Sequence, residues 1–136
     1  MRTIKYLVVH CTATPTDTKI ESIKGYWQNI LGWRNPGYHY IITYKGEIKQ
    51  LHSEDKIANG VRGYNKNSIH LSYIGGVDED GRPMDTKSKE QEIAMLKLLL
   101  NLRARYPDAI ILGHNNFPDV RKACPSFSVN DWLRIV

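Results

Sequence analysis

The sequence predicts an α/β fold in which a mixed central β-sheet is flanked by helices. Three observations support this fold class. Short apolar runs rich in β-branched residues, typical of buried strands, recur along the chain. Two longer segments place apolar residues at the spacing of an amphipathic α-helix. Glycine, proline and asparagine lie between these segments, where turns and loops are expected.

The first half of the chain predicts a strand, a helix and a β-hairpin. Residues 3–9 are apolar and β-branched, which indicates a buried strand. Apolar side chains within residues 20–31, Trp27 and Ile30 among them, share one face of a predicted helix. Residues 38–44 predict a second strand, and the glycine turn that follows leads into its hairpin partner.

The second half predicts a long loop, two more strands and two more helices. Residues 52–67 are irregular, and a loop of this length in a compact domain is often functional. Strands are predicted over residues 68–74 and 109–112. Between them, residues 88–91 have the form of a capping box and open a helix, on whose predicted face lie Ile93, Leu96, Leu99, Leu100 and Arg103. A short helix carrying Trp132 is expected at the end.

Length and composition narrow the functional classes. A chain of 136 residues is expected to form one domain, residues 1–136, and nothing in it indicates an oligomer, so a monomer is expected. No apolar run approaches the ~20 residues that cross a bilayer, so no membrane partner is expected. The first ten residues become polar too quickly for a signal peptide, which predicts synthesis in the cytoplasm.

The net charge of +5 favours an anionic partner, either nucleic acid or an acidic polymer such as a bacterial wall. The basic residues are scattered along the chain, and no nucleic-acid-binding motif is recognisable. Nucleic acid is therefore not the expected partner.

Three residues that can bind zinc stand where strands are predicted to end. His10 and His114 follow the first and last predicted strands, and Cys124 lies ten residues further along. Two imidazoles and one thiolate suit Zn²⁺ and leave one tetrahedral position open, as catalytic zinc sites do. The residues alone also allow two half-buried structural histidines and a buried hydrophobic cysteine.

Two further interpretations concern the cysteines. Cys11 and Cys124 could form a disulfide, although a chain without a leader is expected to keep its thiols reduced. Cys124 could instead be the nucleophile of a cysteine hydrolase with His114 as its base, which leaves His10 without a role.

Five segments occur in an order that resembles the zinc N-acetylmuramoyl-L-alanine amidases of the phage lysozyme type, which share a fold with the peptidoglycan recognition proteins. The resemblance covers nearly the whole chain and rests on residues 9–14, 37–42, 63–69, 113–114 and 122–127. It implies that the substrate is the amide between the lactyl group of N-acetylmuramic acid and the L-alanine of the stem peptide, and that the partner is peptidoglycan.

The resemblance also implies a role for each matched residue. His10, His114 and Cys124 match the zinc ligands. Tyr38 matches a tyrosine that reaches the reacting water or carbonyl, and Lys122 matches a lysine that stabilises the developing oxyanion. From the residues alone, Tyr38 could instead pack in its strand, and Lys122 could be a solvated surface lysine.

The substrate cleft is expected to lie between two loops. Its candidate residues are Thr12, which follows the first strand, and Arg62, Tyr64 and Asn65, which belong to the long loop. Arg62 could hold a carboxylate of the stem peptide through a bidentate contact. The alternative for Arg62 is a solvated side chain.

Two positions depart from the family pattern. Many relatives carry a histidine where this chain has Gly60, and a glycine where it has His70. Gly60 removes a possible substrate contact, and His70 could restore an imidazole nearby. His39 alternates with Tyr38 along its strand and is expected to point to the other side, in a structural or supporting role.

The leading hypothesis is a zinc-dependent amidase, and the alternative is a non-catalytic peptidoglycan-binding module of the same fold. Non-catalytic relatives have usually lost the cysteine ligand, so the presence of Cys124, together with Tyr38 and Lys122, favours the enzyme. The predicted absence of a leader suggests a phage or prophage endolysin, which acts on the cell wall after release through a separate membrane pore.

Overall fold

The structure, a computed structural model, describes residues 2–136. Its strands are β1 (Tyr6–Cys11), β2 (Tyr40–Ile42), β3 (Ile48–Gln50), β4 (Ser68–Tyr73) and β5 (Ile110–Gly113). They form one sheet in the order β3-β2-β4-β1-β5. All neighbouring pairs are parallel except the β2–β3 hairpin, which is antiparallel. The predicted mixed sheet is therefore confirmed.

Helices cover both faces of this sheet. They are α1 (Ile20–Gly25), which continues as a π-helical turn (Tyr26–Ile30), α2 (Lys89–Arg105) and α3 (Val129–Ile135). Side chains of α2 and α3 pack on one face, which we call the first face, and α1 packs on the opposite, second face. Within residues 2–136, no helix combines the length and apolar character needed to cross a membrane.

The end of the first helix differs from the prediction. The Leu31 N–H donates to the Tyr26 carbonyl oxygen at 3.1 Å, a spacing of five residues that belongs to a π-helical turn. Trp27 stays buried at 7% exposure, as predicted, but Ile30 is 70% exposed. The wider turn rotates the residues after Trp27 away from the face that a regular α-helix would have given them.

The buried side of α2 was predicted only in part: Leu99 is buried and Leu96 packs against the core, as expected. Ile93 and Leu100 are 45% and 71% exposed, whereas Met95, Leu98 and Leu102 are buried against the sheet. Leucines occupy nearly every side of this helix, so the apolar period alone could not select the face. The capping box at the start of α2 is formed as predicted.

Alternation along the strands separates an apolar face from a face that carries histidines. Leu7 and Val9 of β1 point into the first-face core beneath α2. His10 therefore points to the second face, as does His70 of the neighbouring strand β4, and both are buried, at 1% and 0% exposure. Polar groups thus gather on the second face near the carboxyl end of β1.

The irregular segment 52–67 lies over the second face and is held there by one arginine. Arg2 donates to the carbonyl oxygen of Glu54 at 2.7 Å and to that of Asn65 at 3.1 Å. Val61, in the middle of the segment, is buried and packs with apolar side chains of the second face. The loop is therefore a fixed wall of whatever site this face contains.

Candidate metal centre and cleft

The structure brings His10, His114 and Cys124 together. One ligand atom from each lies within 4.8 Å of the others. The sheet explains the convergence, because β1 and β5 are parallel neighbours with Val9 opposite Gly113, so the residues that follow these two lie side by side. His114 begins a short 3-10 turn immediately after β5.

The geometry of the three residues fits a tetrahedral metal ion. Cys124 Sγ lies 3.8 Å from His10 Nδ1. Zinc–nitrogen and zinc–sulfur bond lengths place the two ligand atoms of a tetrahedral site roughly 3.5 Å apart. The Cys11 N–H also donates to Cys124 Sγ at 3.1 Å, a contact that stabilises a thiolate. The three side chains could therefore hold a metal after a small inward adjustment.

Both imidazoles of this cluster are available as ligands at neutral pH. Burial lowers the pKa of His10 well below its usual value, and the neighbouring His70, His114 and Lys122 lower it further. Burial and the charge of Lys122 lower the pKa of His114 to about 4. A neutral imidazole keeps the lone pair that a metal requires.

Both cysteines are free thiols, so the structure does not contain the alternative disulfide. The hydrogen-bonded thiol of Cys11 and burial raise the pKa of Cys124 in the metal-free protein. A buried thiol with a raised pKa is a poor nucleophile, which weakens the cysteine-hydrolase interpretation. Metal binding would instead displace the proton from Cys124.

Tyr38 lies directly beside the cluster. Its ring centroid is 5.1 Å from that of His10, and the Trp27 ring packs edge-on against it at 5.3 Å. Its hydroxyl donates to the Cys11 carbonyl oxygen at 3.1 Å. Burial, followed by the proximity of Cys124, raises the pKa of Tyr38, so this side chain remains a proton donor at neutral pH.

The cluster opens into a cleft formed by two adjoining recesses. The first has a volume of about 720 Å³, and its walls include His10, Thr12, Tyr38, His114 and Lys122. The second, of about 830 Å³, is lined in part by Arg62, Tyr64 and Asn65. The recesses share five lining residues: Trp33, Asn59, Gly60, His114 and Lys122. Eight of the nine residues predicted for the site therefore line these recesses, and the ninth, Cys124, lies behind them against His10.

The three loop residues predicted to bind substrate differ in their surroundings. Arg62 is exposed. The Tyr64 ring packs against that of Phe117, with centroids 4.6 Å apart. The Asn65 side-chain oxygen accepts hydrogen bonds from the Gly60 and Val61 N–H groups at 3.1 and 2.8 Å. Arg62 is free to reach into the cleft, whereas the Asn65 oxygen is used to shape the loop.

Sequence reasoning missed part of the cleft wall and one contact of the cluster. Tyr26, Leu31 and Trp33, at the end of the first helix, line the first recess. Tyr26 lies off the predicted buried face, which was a usable signal, whereas Leu31 was predicted to lie on that face and is 40% exposed. The ring of His70 contacts His10, with Nδ1 of His70 2.9 Å from Nε2 of His10. This contact follows from the parallel pairing of β1 with β4, which the sequence pattern did not define.

Comparison with known proteins identifies the family of this chain. Residues 1–127 match the protein family described as N-acetylmuramoyl-L-alanine amidase. The endolysin of Enterobacteria phage K11 is 34% identical over 128 residues, which cover 93% of this chain and 83% of the phage protein. The endolysin of Escherichia phage T7 is 32% identical with the same coverage.

Solved structures share the fold. The Ph2119 endolysin from the Thermus scotoductus MAT2119 bacteriophage Ph2119 superposes with a TM-score of 0.80 at 26% identity, over 99% of this chain and 84% of the endolysin. Bumblebee PGRP-SA superposes with a TM-score of 0.79 at 20% identity, over 96% of this chain and 80% of the insect protein, which shows likeness of fold alone. The chain belongs to the N-acetylmuramoyl-L-alanine amidase family.

Proposed function

We propose that this protein is a zinc-dependent amidase that cuts the bond between N-acetylmuramic acid and the L-alanine of the peptidoglycan stem peptide. The observation that carries the proposal is the convergence of His10, His114 and Cys124 to within 4.8 Å beside an open cleft. Residues 1–136 would form one monomeric catalytic domain. The phage endolysin relatives support a role in lysis of the bacterial wall.

The metal would be held by three side chains of this chain. His10 presents Nδ1 toward Cys124 Sγ, and His114 completes the set from the end of β5. When bound, zinc supplies Lewis-acid activation of water and polarisation of the scissile carbonyl. Two neutral imidazoles and one thiolate would fill three positions of a tetrahedral zinc ion, and a hydrolytic site keeps the fourth open.

Two residues would stabilise the charge that develops on the carbonyl oxygen. Lys122 lines both recesses and contributes a cation at the mouth of the cluster. The Tyr38 hydroxyl is a proton donor held beside His10, and it can exchange its bond to the Cys11 carbonyl for one to substrate. Fixed donors of this kind act most strongly where the site excludes water.

The rest of the cleft would bind the muramyl peptide. Thr12 lies in the recess that contains the cluster, and Tyr64 and Asn65 line the adjoining one. Arg62, exposed at the same wall, is placed to pair with a stem-peptide carboxylate. The net charge of +5 would draw the protein toward an acidic wall.

The test is mass spectrometry of purified peptidoglycan after digestion. We expect intact stem peptides that carry a free L-alanine amino terminus, lost on chelation and restored by zinc. Cys124→Ser is the matched inactive control. Cleaved glycans or cuts inside the stem would contradict the proposal, and a protein that binds the wall but releases nothing would be a recognition module.

A further inference from the structure

His70, one of the two departures from the family pattern, makes a contact that links the loop to the metal cluster. Its ring is fully buried, at 0% exposure. One ring nitrogen, Nδ1, lies 2.9 Å from Nε2 of His10, and the other, Nε2, lies 2.8 Å from the side-chain oxygen of Asn65. The three side chains form one hydrogen-bonded chain from the loop to the metal cluster.

Backbone contacts determine which atom donates and which accepts in each of these hydrogen bonds. The Asn65 side-chain atom that faces His70 also receives the N–H groups of Gly60 and Val61, so it is the oxygen and acts only as an acceptor. His70 Nε2 must therefore donate to it. In a neutral imidazole the other nitrogen is then an acceptor, so His70 Nδ1 accepts from His10 Nε2.

The consequence falls on the candidate metal ligand. With its proton fixed on Nε2, His10 keeps a lone pair on Nδ1, and Nδ1 is the atom that lies 3.8 Å from Cys124 Sγ. Imidazole ligands are oriented by the hydrogen bond that their second nitrogen makes. Asn65 thus selects the tautomer of His70, and His70 selects that of His10.

Gly60 provides the space for this arrangement. A Cβ atom at Gly60 would lie 2.2 Å from Nδ1 of His70 and 2.4 Å from the neighbouring ring carbons, closer than side chains can approach. The φ of Gly60 lies outside the left-handed region, so this glycine is required by space.

We propose that His70 is a positioning residue for the metal site, which orients His10 and fixes its tautomer, and that position 60 must be glycine because the His70 ring fills the space that a side chain there would need. This inference rests on the proposed function, because it assigns a role in a metal site. It gives the imidazole of His70 a role in holding the metal ligand, apart from any contact with substrate.

The first test measures the tautomers directly, without metal or activity. Long-range ¹⁵N–¹H correlation spectra of histidine-labelled wild-type protein distinguish a proton on Nδ1 from one on Nε2. We expect the Nε2–H tautomer for both His10 and His70, before and after zinc is added. A proton on Nδ1 of either ring would overturn the inference, whatever the metal affinity.

The second test measures zinc affinity by competition with a chelator. His70→Leu removes the acceptor for His10 and should weaken zinc binding by about 10–100-fold. His70→Asn introduces a side chain of nearly the same shape as leucine, but it offers an oxygen where Nδ1 stood. Its zinc affinity should therefore stay close to that of the wild type. His52→Leu is the matched control, since His52 bonds a loop carbonyl instead of a ligand. Equal losses in the Leu and Asn variants would contradict the proposed role.

The third test asks whether positions 60 and 70 share one volume. Gly60→Ala should lower the melting temperature of the wild-type protein and have much less effect in a His70→Gly background. Independent effects of the two changes would refute the coupling. A wild-type protein that binds no zinc would overturn the proposed function itself, whereas tight zinc binding unaffected by His70→Leu would overturn only this inference.

Discussion

Two clusters of polar side chains lie at opposite ends of the parallel strands, and they use their hydrogen-bonding groups in opposite ways. The carboxylate cluster, at the amino ends, surrounds one acid with donors. The ligand cluster, at the carboxyl ends, turns three lone pairs toward a common point. The members of the first are Tyr40, Glu54, Arg105 and Tyr106, and those of the second are His10, His114 and Cys124.

The carboxylate cluster is internally complete. Glu54 accepts from Arg105 Nη2 at 2.9 Å, from the Tyr106 hydroxyl at 2.8 Å and from the hydroxyl of Tyr40. Burial alone would raise the pKa of Glu54, but these hydrogen bonds outweigh it and lower the pKa to about 2. Its donors and acceptors are paired with one another, and these hydrogen bonds join the long loop to the end of α2.

The ligand cluster lacks that internal balance. Cys124 Sγ and His10 Nδ1 face one another at 3.8 Å, and both are electron-pair donors when the thiol is ionised. Without a metal the raised pKa keeps the proton on Cys124, and the ionised form needs a cation in the space between the atoms. The comparison shows how a structural polar cluster differs from a binding site: in the first, every acceptor faces a donor, and in the second, loss of the Cys124 proton leaves acceptors facing one another.

The largest effect is expected from a substitution that removes one member of the ligand cluster. Cys124→Ser replaces a soft thiolate with a hydroxyl, so we expect loss of tight zinc binding and of detectable amidase activity. Cys11→Ala is the comparison variant, since it removes a core thiol that contacts Cys124 but is not itself a candidate ligand, and it should still bind zinc. Zinc content per protein and peptidoglycan digestion are the two measurements. Equal loss in both variants would mean that the thiol acts through stability alone.

A smaller effect is expected from the charge at the mouth of the cleft. Lys122→Met removes the cation proposed to stabilise the oxyanion and should lower kcat by about 10²–10³-fold. Zinc affinity should change little, because Lys122 is not a ligand. Lys97→Met, at an exposed lysine of α2 that lines neither recess, is the control. A Lys122 variant with normal kcat would remove this residue from the mechanism.

Changes to the carboxylate cluster should affect stability and leave chemistry intact. Glu54→Gln removes the charge from the hydrogen bonds to Arg105 and the two tyrosines. We expect the free energy of unfolding to fall by about 1–3 kcal/mol at neutral pH. Zinc affinity and kcat should be unchanged. Denaturant unfolding measures the stability of wild type and variant, and zinc titration measures their metal affinity. A loss of zinc binding in the variant would show that the two clusters are coupled.

The smallest effect is a pH dependence of that stability. The pKa of Glu54 is lowered in the folded protein from 4.5 to about 2. Its contribution is therefore complete above about pH 4.5 and is lost as the pH falls toward 2. The difference in unfolding free energy between wild type and Glu54→Gln should shrink across that window. A constant difference would mean that the carboxylate is not stabilised by its partners.

The contrast between the clusters also shows what the sequence could predict. His10 and His114 follow apolar runs, and parallel neighbouring strands bring such positions together. The ligand cluster could therefore be predicted from the strand ends and the family pattern. The carboxylate cluster was not predicted, because it joins Glu54 to Arg105, far apart in sequence, through a loop whose path no local signal defines.

The same reason explains the other errors. The π-helical turn that exposes Ile30 leaves no signature in the apolar period of the sequence. The contact between Gly60 and His70 depends on how the loop lies over β4. Each residue was noticed separately as a departure from the family pattern, but only the structure shows that one side chain fills the space that the other leaves.

The most direct test of the account is zinc X-ray absorption spectroscopy on the wild-type protein loaded with one equivalent of metal. We predict a four-coordinate site with a single sulfur at about 2.3 Å and nitrogen or oxygen ligands at about 2.0 Å. Cys124→Ser should lack the sulfur shell. A wild-type spectrum without sulfur, or zinc that is removed by simple dialysis, would contradict the assignment of His10, His114 and Cys124 as the metal site.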